Sequence, residues 1–162
     1  MESRQEKDMF LTNPQKASTR VTINSFMMGS LFFIFTLIWT LDPERFSIFI
    51  ISQIVLAIPL LFVSSLAYSK IGYWKDVKGW EALGWFTNNV GNIFILNAVG
   101  LMTASVDRIL AVVYFVLTIV LMTIYSSINI YYRRGAMREK LFKFGYFLLV
   151  LVAGGLVPLL FR

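Results

Sequence analysis

Five long apolar stretches, each bounded by short polar segments, run along this chain at residues 21–41, 46–69, 83–104, 108–132 and 140–161. A helix crosses the hydrocarbon core of a bilayer with about 20 residues, so every one of them is long enough to span it. The pattern predicts an all-α integral membrane protein, a bundle of five transmembrane helices. Its connections after the first and third stretches, LDPERF and ASVDRI, are tight turns. Short connections make successive helices antiparallel neighbours. Residues 1–20 form a polar arm, with no apolar core of the kind a cleavable signal peptide carries, so the first helix is expected to remain in place. The 70–82 segment, KIGYWKDVKGWEA, mixes lysines with Tyr73, Trp74 and Trp80, a composition suited to the headgroup layer.

The third stretch departs from the others. It reads GWFTNNVGNIFILNAVG from Gly84 to Gly100 and carries Asn88, Asn89, Asn92 and Asn97. At about 100° per residue, Gly84, Gly91, Ala98 and Ser105 line up as a seam of small side chains, the kind that lets membrane helices approach closely. Asn88, Asn89 and Asn92 fall on an adjoining stripe with Trp85, while Asn97 points the opposite way. Neighbouring helices carry matching faces. In the second, Gln53, Ala57, Ser64 and Tyr68 share one; in the fourth, Tyr114, Thr118, Tyr125, Asn129 and Tyr132 do. Pro59 interrupts the second helix, and Gly154, Gly155 and Pro158 loosen the fifth, because proline removes a backbone donor and frees a carbonyl that needs another partner.

Charge turns these helices into a topology. Of the fifteen lysines and arginines, twelve lie in the N-terminal arm, the 70–82 loop and the 133–143 region, on one side of a five-span bundle, and three on the other. By the positive-inside rule the N-terminus is cytoplasmic and the C-terminus outside. The acidic residues divide six and three, which leaves the inner side at +6 and the outer at zero. Such a basic face attracts anionic lipid headgroups and gives no ground for nucleic-acid binding. A composition 57 % hydrophobic agrees with a multi-pass protein of a membrane, taken here as the plasma membrane of a prokaryote.

Candidate chemistry is confined to amides and hydroxyls. The chain has no cysteine and no histidine, and no Asp, Glu, Lys or Arg stands in the middle of a predicted span. Proton-coupled carriers and voltage sensors depend on intramembrane charge, and acid–base, nucleophilic and zinc catalysis depend on the missing side chains. No enzyme activity, metal or cofactor is expected. An interfacial lipid-acting enzyme built on Asp42, Glu44 and Arg45 or on Asp107 and Arg108 is the weakest of the alternatives. An amide facing lipid would cost several kcal/mol, so the asparagines must meet protein or water.

Two functions follow. In the first, Asn88, Asn89, Asn92, Ser64, Tyr68, Tyr125 and Asn129 line a cytoplasm-facing vestibule of a small channel or facilitative transporter subunit, which passes an ion or a small neutral solute and works as a homo-oligomer. In the second, the chain is a non-transporting accessory or assembly subunit that docks a membrane partner through the Gly84, Gly91, Ala98 and Ser105 seam.

Overall fold

Helix α1 runs Pro14–Leu41, α2 Ile48–Lys70, α3 Lys78–Ala104, α4 Arg108–Tyr132 and α5 Met137–Leu151; α5 continues through a π-helical turn, Val152–Leu156, into a last short turn, α6, Val157–Leu160. This is a computed structural model, and it describes residues 14–41, 44, 46–71, 73, 77–132 and 137–161. All the regular structure among them is helical. Four helices, Pro14–Thr40, Ile48–Lys70, Arg108–Tyr131 and Lys140–Leu160, are long and apolar enough to cross a membrane. α3 has the length, at 27 residues, but its amides keep it out of that group.

Two helices start earlier than the apolar pattern alone indicates. α1 opens at Pro14, a residue suited to a first helical turn because the N–H it lacks would have no partner there. α3 opens at Lys78, so the connection from α2 is shorter than the 70–82 segment. Trp74 lies outside the described residues.

α3 is the central helix, in contact with α2, α4, α5 and the π turn, while α1 packs on α2. The α1 contact is a stripe of Ala17, Asn24, Leu31 and Ile38, buried residues spaced by seven. α2 buries Gln53, Ala57, Ser64 and Tyr68, the face its sequence marked out. Glycines set the α2–α3 distance. A Cβ on Gly84 would stand 3.2 Å from the Tyr68 ring, and one on Gly91 would stand 3.1 Å from Leu61. At Gly84 and Gly91 the seam is therefore filled by α2 of the same chain.

We distinguish a basic end, which carries the α2–α3 connection, from a neutral end, which carries the Ser105–Asp107 turn. The turn is well anchored. Asp107 Oδ1 accepts the Leu110 N–H at 2.7 Å and so caps α4, while Arg108 Nη2 donates to the last carbonyls, Leu159 O at 3.3 Å and Leu160 O at 3.5 Å. α4 and α5 are tightly packed only toward this end. In α4 the buried residues are Ala111 and Phe115, in the α5–α6 rod Leu151, Gly155 and Leu159. Toward the basic end both helices are half-buried or exposed. Phe26, Phe33, Trp39, Val116, Leu121 and Ile128 stand on the outer surface, where they would face acyl chains in a bilayer.

Candidate functional site

Polar side chains meet in three places along α3. Nearest the basic end, Ser64 and Tyr68 belong to a network that joins three helices. Asn24 Nδ2 donates to Ser64 Oγ at 3.1 Å, and Ser64 Oγ donates to Gly84 O at 3.0 Å. One turn closer to the rim, Arg20 Nη1 donates to the Tyr68 hydroxyl, with its guanidinium 4.8 Å from the ring centroid. Glu81, buried in the first turn of α3, is close enough to act electrostatically on Tyr68. These groups are mutually satisfied and hold α1, α2 and α3 in register.

The second place is the asparagine stripe. Gly84 and Gly91 define the side of α3 that meets α2. Trp85, whose ring lies 4.8 Å from Lys143 Nζ, marks the side that meets α5. Steps of about 100° put Asn88 and Asn92 between these two sides. Both are half-buried. Asn92 Oδ1 is buried with no hydrogen-bond partner, and the Asn88 side chain, half-buried, bonds to no other described residue. Asn89 behaves differently, since its Nδ2 donates back to Trp85 O at 2.6 Å within its own helix.

Tyr125 and Asn129 do not join this group. On an ideal helix they share a face with Ala111 and Thr118, yet Tyr125 is 66 % exposed and Asn129 is exposed, its Oδ1 accepting from Lys140 Nζ at 3.0 Å. Beyond Phe115 the helix buries no described residue, and α5 meets this part of α4 through Lys140. Periodicity reports which way a side chain faces along its own helix, not whether the neighbour is still there. The seven residues of the predicted vestibule thus divide into a satisfied network, an open amide pair with Asn89 beside it, and an exposed pair on α4. Of the seam, Gly84, Gly91 and Ala98 are buried, while Ser105 is half-buried and donates to Leu101 O at 3.3 Å.

The third place, toward the neutral end, was missed. Pro158 has no N–H, so the Gly154 carbonyl four residues earlier lacks its helical donor. Gln53 supplies one from α2, its Nε2 donating to Gly154 O at 3.0 Å. Asn97 does the same from α3, donating through Nδ2 to Val150 O at 3.3 Å. The backbone between these carbonyls is widened into the π turn, where the Val157 N–H reaches back to Val152 O. Both amides are deeply buried, Gln53 at 4 % exposure and Asn97 at 0 %. Proline and a glycine pair in one membrane helix, with buried amides on two others, was the available signal.

Comparison with protein-family models, curated proteins and solved structures found no match.

The Gln53–Gly154 bond has a checkable consequence. Gln53→Leu leaves the Gly154 carbonyl buried and unpaired, at a cost of about 1–3 kcal/mol. Pro158→Ala in the same chain returns an N–H at the position that normally serves that carbonyl. Thermal unfolding in detergent should therefore show a lowered Tm for the single variant and a partial recovery for the double one. A double variant less stable than Gln53→Leu by the full effect of Pro158→Ala alone would mean that the two residues do not act on the same carbonyl.

Proposed function

We propose that this chain is a subunit of a small channel or facilitative transporter in the plasma membrane of a prokaryote. In this reading all five helices span, α3 included, with the N-terminus in the cytoplasm and anionic lipid at the basic end. The path for solute runs along the side of α3 between α2 and α5, past Asn88 and Asn92, and opens toward the cytoplasm. The species that passes is a small neutral solute or an ion coordinated by dipoles, since the groups the path offers it at Asn88 and Asn92 are amides.

The observation that carries the proposal is the buried Asn92 Oδ1 with no donor in reach, beside an Asn88 amide likewise without a described partner. Buried amides are almost always paired, with protein or with water. Amides acting as glue between helices would bond across to α2 or α5, as Asn24 and Asn97 bond to their neighbours. Asn88 and Asn92 do not, so water or solute is the partner that remains. The exposed basic-end half of α4, with Tyr125 outward, is consistent with burial against further copies in a homo-oligomer. A docking role through the glycine seam has less support, because α2 already occupies Gly84 and Gly91.

Flux through liposomes containing the purified protein tests the proposal, with monovalent ions and small neutral solutes scanned against protein-free vesicles. Passage of at least one solute above the protein-free rate is the expected result. Folded, reconstituted protein that passes none of them would overturn the proposal.

A further inference from the structure

The flank of α3 that carries Asn88 and Asn92 is a furrow open to one side. Trp85, Asn92 and Val99 recur every seven residues, so they follow nearly one line along α3, with Asn88 beside it toward α2. One wall is α2, which meets α3 at Gly84 and Gly91. The other is α5, placed by Tyr146, whose ring lies 6.2 Å from that of Phe86, and by Lys143, which reaches over Trp85 at the furrow's edge. α2 and α5 do not pack on one another, and α1 packs on α2, so no described helix covers the space between the walls. Trp85, Asn88 and Asn92 are accordingly only half-buried, and Val99 is 36 % exposed. Asn92 shows which half of its amide faces out. Its oxygen is buried and unpaired, whereas its NH2 group has no partner among the described residues and is not buried. At 1.5 Å per residue, Asn88 lies about 5 Å deeper along α3 than Trp85, Asn92 about 10 Å and Val99 about 20 Å. From the basic end inward the furrow thus offers a cation, then amides, then apolar surface.

We propose that this furrow binds an anionic phospholipid of the inner leaflet, with its phosphate on Lys143, its ester carbonyls on the Asn88 and Asn92 amides and an acyl chain over Val99. The order of the groups decides the ligand. A phospholipid presents phosphate, then two ester carbonyls, then hydrocarbon, and the furrow presents their complements in the same order. The ester oxygens are acceptors, which matches the outward NH2 group of Asn92. A lysine beside a tryptophan suits the headgroup layer, and a basic surface there attracts anionic lipid. Choline and ethanolamine heads carry a cation beside the phosphate that Lys143 would repel, whereas the glycerol head of phosphatidylglycerol does not. Glu81, the acidic residue of α3, is buried and does not face the phosphate. A lipid held there stands in the solute path of the proposed channel; this consequence rests on that reading, while the binding itself rests only on α3 lying in the membrane with its basic end cytoplasmic. Lipid binding is read in detergent and flux in liposomes, so either result can fail alone.

The test is native mass spectrometry of the purified protein in detergent with equal amounts of phosphatidylglycerol and phosphatidylcholine, and thermal unfolding beside it. Phosphatidylglycerol is expected to be retained in preference, as a single molecule per chain, and to raise Tm with its concentration as a ligand of the folded state does. Lys143→Gln should weaken that binding about fivefold, the effect of one basic side chain at an anionic surface. Asn88→Leu with Asn92→Leu should weaken it as well. Lys70→Gln, which removes an exposed lysine of the same end outside the furrow, should leave it unchanged. The Tm of each variant without lipid reports that it is folded. Equal retention of the two lipids, or equal weakening by Lys143→Gln and Lys70→Gln, would overturn the site in favour of a general attraction to the basic end. Binding untouched by the paired leucines would overturn the placement of the ester groups on the amides.

Discussion

Asn88→Leu and Asn92→Leu together are expected to abolish flux through the reconstituted protein while leaving its Tm at or above the wild-type value. The two halves of that result have separate causes. Leucine is close to asparagine in size but offers nothing to a hydrated solute, so a path that depends on amide dipoles closes. Stability moves the other way. An unpaired buried amide costs free energy, and replacing it by an apolar group of similar shape is neutral or stabilising. Had these amides been interhelical glue, the same change would remove about 0.6 kcal/mol for each on average and up to roughly 2, and Tm would fall. Loss of flux with a lowered Tm would therefore point to glue and a damaged fold. Retained flux with an unchanged Tm would remove Asn88 and Asn92 from the path.

Gly100→Ala is expected to lower stability by about 1–3 kcal/mol, an overpacking effect large for a single methyl. Its Cβ would fall under 3.0 Å from Phe115 Cζ and Cε2, and the ring has nowhere to go, because its other edge lies against Gly155. Phe115 is fully buried between α3 and the π turn. Trimming the ring should relieve the clash, so Gly100→Ala with Phe115→Leu should be more stable than the two separate losses added together. Thermal unfolding of the four proteins decides it. Additive losses would mean that Gly100 and Phe115 are not in the contact described.

Much of the bundle can be read from periodicity. The helices, the small side chains at Gly84 and Gly91, the buried face of α2 through Gln53, Ala57, Ser64 and Tyr68, and the disturbance near Gly154 all follow from spacing and from what glycine and proline do to a helix. The candidate site is less legible. Spacing places Tyr125 and Asn129 on the face of α4 that carries Ala111 and Thr118, but it carries no information on where a helix loses its cover, and both side chains are exposed. Asn97 looked like a stray from the asparagine stripe. Its partner is a backbone carbonyl 53 positions along the chain, and long-range pairing of that kind leaves no periodic trace. A hint did exist in Pro158, whose missing N–H required a donor from somewhere, and Gln53 was the deep polar residue on α2.

The claim that most needs testing is that water reaches Asn92 from the cytoplasmic side. The chain has no cysteine, so a single thiol can be placed without background. Asn92→Cys in sealed vesicles of known orientation, treated with a membrane-impermeant thiol reagent from each side in turn, is expected to react from the cytoplasmic side only. Ser18→Cys near the start of α1 and Val106→Cys in the Ser105–Asp107 turn serve as markers for the two faces. An Asn92→Cys thiol that stays unmodified from both sides, while both markers react on their own faces, would contradict a wet path along α3.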